Sequence, residues 1–157
     1  MKKSRIPLYY GLFIAIGLIA YFLLLSLFGV HNNPIYSVFN IVIVGVGMFA
    51  AISKYRTRKG SKFKYQKGFM AGLMTGFIAT VIFTFFFGVY ATELNPGFLG
   101  ELITMWETEW FVDIGMVLFT VALMGFTTTL VLTFAFMQLL KDSWNTKEAQ
   151  KHTFSKK

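Results

Sequence analysis

Between Ile6 and Ser53, and again between Gly68 and Leu140, the chain contains no lysine or arginine, although it carries fifteen of them in 157 residues. They fall into three clusters: Lys2, Lys3 and Arg5; Lys54, Arg56, Arg58, Lys59, Lys62, Lys64 and Lys67; and Lys141, Lys147, Lys151, Lys156 and Lys157. Exclusion of cations over such lengths is what a bilayer enforces, because a charged side chain in hydrocarbon is costly. The rest of the composition agrees: 55% hydrophobic residues and a mean hydropathy of +0.60 are too apolar for one soluble core to cover.

Residues 6–30, IPLYYGLFIAIGLIAYFLLLSLFGV, exceed the roughly 20 residues that a helix needs to cross a bilayer. A signal peptide would have a shorter apolar core and a small-residue cleavage site. This run ends instead in Gly29-Val30-His31-Asn32-Asn33, which marks an uncleaved span followed by a turn. Pro34 suits the first position of the next helix, with Asn33 as its N-cap. The pattern predicts four spans, at about 6–30, 34–53, 68–90 and 111–140, in one transmembrane domain over residues 1–140, with a basic tail over 141–157. Basic residues of short loops stay in the cytoplasm. All three clusters fall on one side of a four-span arrangement, so both termini are expected to be cytoplasmic and the protein to be multi-pass in a bacterial inner membrane. The clusters are read as topological determinants, and no nucleic-acid partner is expected.

The third span carries small residues every four positions: Gly68, Gly72, Gly76, Thr80, Thr84 and Gly88. Residues four apart share a helix face, and small side chains let membrane helices approach closely. Gly115, Ala122, Gly125, Thr129 and Thr133 make the fourth span the expected neighbour. Phe77, Ile78, Phe85 and Phe86 are expected to face lipid or another subunit. In the second span Asn40 is the most polar side chain, read as an interhelical hydrogen-bonding group. Gly17, Ala20 and Phe28-Gly29-Val30 echo Gly76, Ala79 and Phe87-Gly88-Val89 at an offset of 59, and an internal duplication is left open.

Reactive groups are few. Cysteine is absent and only His31 and His152 supply imidazoles, which removes thiolate chemistry and nearly removes imidazole chemistry. No lysine, arginine, histidine or carboxylate lies in the middle of a span, so a proton relay has no carrier. On the side opposite the basic clusters lie Glu93, Glu101, Glu107, Glu109 and Asp113, with His31. Of these, Glu101, Glu107, Glu109 and Asp113 form a candidate outward acidic site for a partner or a cation. They lack the alternating acids and glycine of an EF-hand, and no catalytic residue, metal site or cofactor is assigned.

Phe98, Leu102, Trp106 and Trp110 recur every four residues, with polar residues filling much of the remaining arc. This predicts an amphipathic interfacial helix after the Asn95-Pro96-Gly97 turn. Its acidity favours docking on the protein's own helices or on a partner over attraction to anionic lipid.

The order of features has a likeness. Tyr9-Tyr10-Gly11 opens the first span and Lys54-Tyr55-Arg56 closes the second; Lys59-Gly60 with a following aromatic, Lys67-Gly68-Phe69 and Asn95-Pro96-Gly97-Phe98 come after. Over roughly residues 5–140 this resembles the bacterial membrane family catalogued as domain of unknown function 4199. The resemblance implies four helices in an inner membrane and brings no activity, cofactor or catalytic residue.

The chain is therefore read as an all-α polytopic membrane protein with four transmembrane helices and an interfacial helix between the third and fourth. The expected role is that of a non-enzymatic subunit that contacts the lipid bilayer and binds a membrane-protein partner or assembles as a homo-oligomer. The alternative is a small transporter or channel with a pathway between subunits, suggested by Asn40, Thr127, Thr128, Thr129 and Thr133.

Overall fold

The computed structural model describes residues 5–31, 34–60, 63–105 and 113–141. Among them the chain is all helical: α1 (Ile6–Leu27), α2 (Pro34–Lys59), α3 (Tyr65–Val89), α4 (Pro96–Met105) and α5 (Ile114–Leu139). A single π-helical turn, Tyr90–Leu94, continues α3. Four of the helices are long and apolar enough to cross a membrane, and α4 is a shorter helix between the third and the fourth of them.

Helix ends follow local chemistry. α1 stops at Leu27, short of residue 30, because Gly29 takes a left-handed backbone with φ of 67°. The Val30 amide then donates to the Leu25 carbonyl at 3.0 Å and the Gly29 amide to the Ser26 carbonyl at 3.0 Å, which is a Schellman closure. α2 begins with Pro34 as its first residue and runs beyond Ser53 to Lys59. Its last turn holds Arg56, Arg58 and Lys59, cations that favour the negative end of a helix dipole. This extension past the apolar segment is the largest departure from the expected spans. Asp113 caps α5, its carboxylate accepting from the Gly115 amide at 2.6 Å. Asn33 lies outside the described residues.

α3 is the central helix. In its apolar segment 33% is buried, against 11% in α5 and 17% in α2. α1 packs on one side of it, with Gly11 against the Thr75 carbonyl and Ile78, and α5 packs on another. The small-residue stripe faces α5 in antiparallel register: Gly68 meets Met137, Gly72 meets Thr133, Gly76 meets Thr129, Thr80 meets Gly125, and Gly88 meets Leu118. A Cβ at Gly76 would collide with Thr129, and one at Gly72 would lie 2.9 Å from Thr133 Cγ2. The fully buried threonine hydroxyls are partly satisfied within their own helices: Thr75 donates to the Ala71 carbonyl at 2.8 Å and Thr133 to the Thr129 carbonyl at 2.7 Å.

Because α3 is flanked on two sides, only a narrow arc of it is free. Phe77 and Phe85 are exposed, whereas Ile78 turns to α1 and Phe86 joins an aromatic cluster at one end of the bundle, so those two do not face the surroundings as the sequence pattern suggests. The Phe-Gly-Val echo also differs in conformation: Gly29 terminates α1 with a left-handed backbone, while Gly88 lies inside α3. Asn40 Oδ1 is buried with no hydrogen-bond partner among the described residues, so the interhelical bond expected of it is not formed there.

Candidate functional site

Charge separates the two ends of the bundle. Ile6, Tyr55 and Ala71 pack together with Tyr10 and Phe63, joining the start of α1, the end of α2 and the start of α3. Every described lysine and arginine is at this end: Arg5, Lys54, Arg56, Arg58, Lys59, Lys64, Lys67 and Lys141. The described carboxylates, Glu93, Glu101 and Asp113, and the one described histidine, His31, are at the other, beside α4.

That end is closed by an aromatic cluster. Phe22 of α1, Phe87 of α3, Tyr90 and Ala91 of the π turn, Phe98 of α4 and Val117 of α5 are buried together, and Leu99, Leu102 and Ile114 pack against them. Pro96 disfavours a helical backbone at the residue before it, so the chain breaks at Asn95 and restarts with Pro96 at the first position of α4. The break aims Phe98 down into the bundle, where it is only 1% exposed. Its ring meets Phe87 at 5.7 Å, Tyr90 at 5.5 Å and Phe22 at 6.1 Å between centroids, all near edge-to-face, a favoured aromatic geometry.

His31 sits on this cluster. Its imidazole stacks on Phe98 with centroids 4.9 Å apart and planes at 26°, and meets the edges of Phe22 and Tyr90 at 5.8 and 6.1 Å. Both ring nitrogens are buried, and neither has a hydrogen-bond partner among the described residues. Burial pushes the imidazole below its ordinary value of 6.5, while the Glu101 carboxylate opposes that shift. The Tyr90 hydroxyl ties the layer together, sharing a hydrogen bond of 2.5 Å with Ser26 Oγ and accepting from Asn95 Nδ2 at 3.5 Å.

The sequence-predicted residues divide accordingly. Gly68, Gly72, Gly76 and Thr80 are buried against α5. Thr84 and Gly88 lie farther along α3, in the wall of an apolar groove, and Thr84 Oγ1 has no partner among the described residues. Phe98 is buried and Leu102 half-buried against the cluster; Trp106 and Trp110 lie outside the described residues. Glu101 is exposed on α4, and Asp113 serves as the α5 cap, so the structure does not bring these two into one described cluster. Glu107 and Glu109 lie outside the described residues. Among the described residues, no three His, Asp or Glu side chains converge as metal ligands would.

Sequence reasoning did not single out Phe22, Ser26 or Tyr90, and took His31 only as a lone imidazole. A tyrosine as the last residue of a long apolar span is the one local signal, since Tyr prefers a site with an apolar body and a polar tip. The convergence of α1, the α1–α2 turn, the π turn and α4 leaves no sequence periodicity to detect.

Comparison with curated proteins and with solved structures returned no match. A protein-family model matches residues 9–110, which takes in α1, α2, α3 and α4 and stops before α5, a shorter reach than the resemblance over residues 5–140. That model is described as a protein of unknown function, DUF4199, and since it covers well over half of this four-span helical chain, the protein belongs to the DUF4199 family.

Proposed function

We propose that this protein is a non-enzymatic subunit of a bacterial inner membrane, its basic end in the cytoplasm, that presents α4 as an acidic docking element to a partner protein. The observation that carries this reading is the way α4 is held. Phe98 is fixed deep in the aromatic cluster, while Glu101 and Thr104 on the same helix are exposed. An anchored helix with an outward polar arc is pre-organised for recognition, because little ordering remains to oppose association. Cations on the partner's contacting surface complete the match.

The stripe of small residues does not support self-assembly, since its Gly68 to Thr80 portion is occupied by α5 of the same chain. Association between copies would use other faces. The transporter reading loses most of its support for the same reason: Thr129 and Thr133 are packed against Gly76 and Gly72, and Thr127 turns its hydroxyl to the Leu123 carbonyl at 2.8 Å.

The test is affinity purification in mild detergent with the native chain, Glu101→Lys and Phe98→Ala. A partner that copurifies with the native chain and is lost from both variants supports the reading. A monomer with no copurifying protein, or a partner retained equally by all three, overturns it.

A further inference from the structure

Beside the α3–α5 contacts at Thr80–Gly125 and Gly88–Leu118 lies a groove of about 640 Å³, a size in the range of about 300–1,000 Å³ typical of ligand sites. Its walls are Val81, Phe85, Val89, Leu118 and Phe126, with Gly88 and Ala122 in the lining, and its few polar lining residues are the threonines Thr84 and Thr92. Phe85 is 74% exposed, so the groove opens sideways to whatever surrounds the bundle.

Three features identify its occupant. The first is length. From Val81 to Thr92 a helix rises about 16 Å at about 1.5 Å per residue. One leaflet contributes about 15 Å of a hydrocarbon core about 30 Å thick. Phe126 lies halfway along α5, and Thr92 and Ile114 lie at the α4 end, so the groove runs from mid-membrane to the interface on the α4 side.

The second is the lining: apart from Thr84 and Thr92 the groove is walled by apolar side chains and glycine and is open along its side, a surface that a flexible hydrocarbon chain can cover. The third is charge. Glu93 follows Thr92 and Asp113 precedes Ile114, both carboxylates are exposed, and residues 68–140 hold no lysine or arginine. An ammonium group is complementary to that mouth, whereas a purely anionic headgroup is repelled.

We infer that this groove holds one acyl chain of a phospholipid from the α4-side leaflet, and that its acidic mouth selects a headgroup bearing a primary amine. The inference is independent of the docking role proposed for α4, because no residue of α4 lines the groove.

The experiment is native mass spectrometry with lipid extraction, on protein moved from bilayers of mixed phosphatidylethanolamine and phosphatidylglycerol into mild detergent. The native chain should retain one phospholipid per copy, enriched in phosphatidylethanolamine over the starting mixture. Ala122→Trp and Gly88→Leu, which fill the lining, should lower occupancy about tenfold. Val42→Trp, on the exposed face of α2, should leave it unchanged. Should either filling variant fail to run as a monodisperse species, the headgroup selectivity of the native chain and the response to Ala122→Leu decide. The inference is overturned by no retained lipid, by equal retention in folded filling variants, or by preference for the anionic lipid. Efficient disulfide dimers of Phe85→Cys in the membrane would also overturn it, by placing a second copy over the groove.

Discussion

At the scale of single residues, the Gly76–Thr129 contact makes the sharpest prediction. Any side chain at 76 must displace Thr129, and overpacking of this kind costs about 1–3 kcal/mol. Gly76→Thr should therefore lower the thermal midpoint in detergent. The swap Gly76→Thr with Thr129→Gly should recover most of the loss, because the neighbouring rung already holds that arrangement in Thr80 against Gly125. A double-mutant cycle with no recovery would show that the two residues are not coupled. Much of this was legible beforehand: the four-residue spacing on α3 was plain. Its partner stripe was not, since Gly125, Thr129 and Thr133 face α3 at strict spacing while Ala122 lines the groove and Gly115 accompanies the Asp113 cap.

His31 supplies a second prediction at this scale. Its imidazole is held below 6.5 by burial, so the docked layer binds the proton less readily than an opened one. Stability from this group is complete above about pH 6.5 and declines as pH falls through the window below that value. The charged group bearing on it is Glu101 of α4; Tyr90 of the π turn and Phe22 of α1 face it as rings. Hydrogen exchange of α4 amides should accelerate between about pH 7 and pH 5.5 beyond the intrinsic pH effect. His31→Phe should remove that excess, and Glu101→Gln should enlarge it by deleting the opposing attraction. Identical profiles in all three proteins would refute the assignment.

At the scale of elements, α4 depends on one anchor and one hydroxyl. Phe98→Ala removes a ring that is almost wholly buried and should cost about 3 kcal/mol or more. Because α4 is held chiefly through that ring, the loss should appear as undocking of α4 while protection of α3 persists. Tyr90→Phe keeps the rings packed but leaves Ser26 Oγ without its bond, for a smaller effect of about 1 kcal/mol. Amide exchange resolved by segment separates the two, and equal loss of protection in α3 and α4 on Phe98→Ala would contradict a local anchor. The existence of α4 was legible in the amphipathic spacing after NPGF, but its start was not, because Asn95-Pro96-Gly97 reads as a turn whereas Pro96 and Gly97 open the helix. The π turn was not, because YATEL carries no residue that forces it, and the added turn of α2 was not, because Lys54 to Lys59 lie past the apolar signal that marks a span.

At the scale of the whole molecule, the separation of charge between the two ends makes orientation testable. With no native cysteine, Glu93→Cys should react with an impermeant thiol reagent in intact cells and Lys59→Cys only after lysis. The reverse pattern would invert the proposed topology. The fold was readable to this extent because the exclusion of cations and the length of apolar runs are global signals, whereas the aromatic cluster is assembled from residues far apart in the chain.

The rungs between α3 and α5 act on the molecule as a keyed lock does on its key. The glycine is supplied by α3 at residues 72 and 76 and by α5 at residue 125. A one-turn slide in one direction would set Thr80 on Thr129; in the other it would set Gly76 on Gly125 and open a void. α5 thus has a single permitted height beside α3, and any lengthening of the segment between α4 and α5 must bulge at the α4 end instead of shifting the helices. Cysteines at 80 and 125 should then cross-link as readily in a chain with residues inserted after Met105 as in one without.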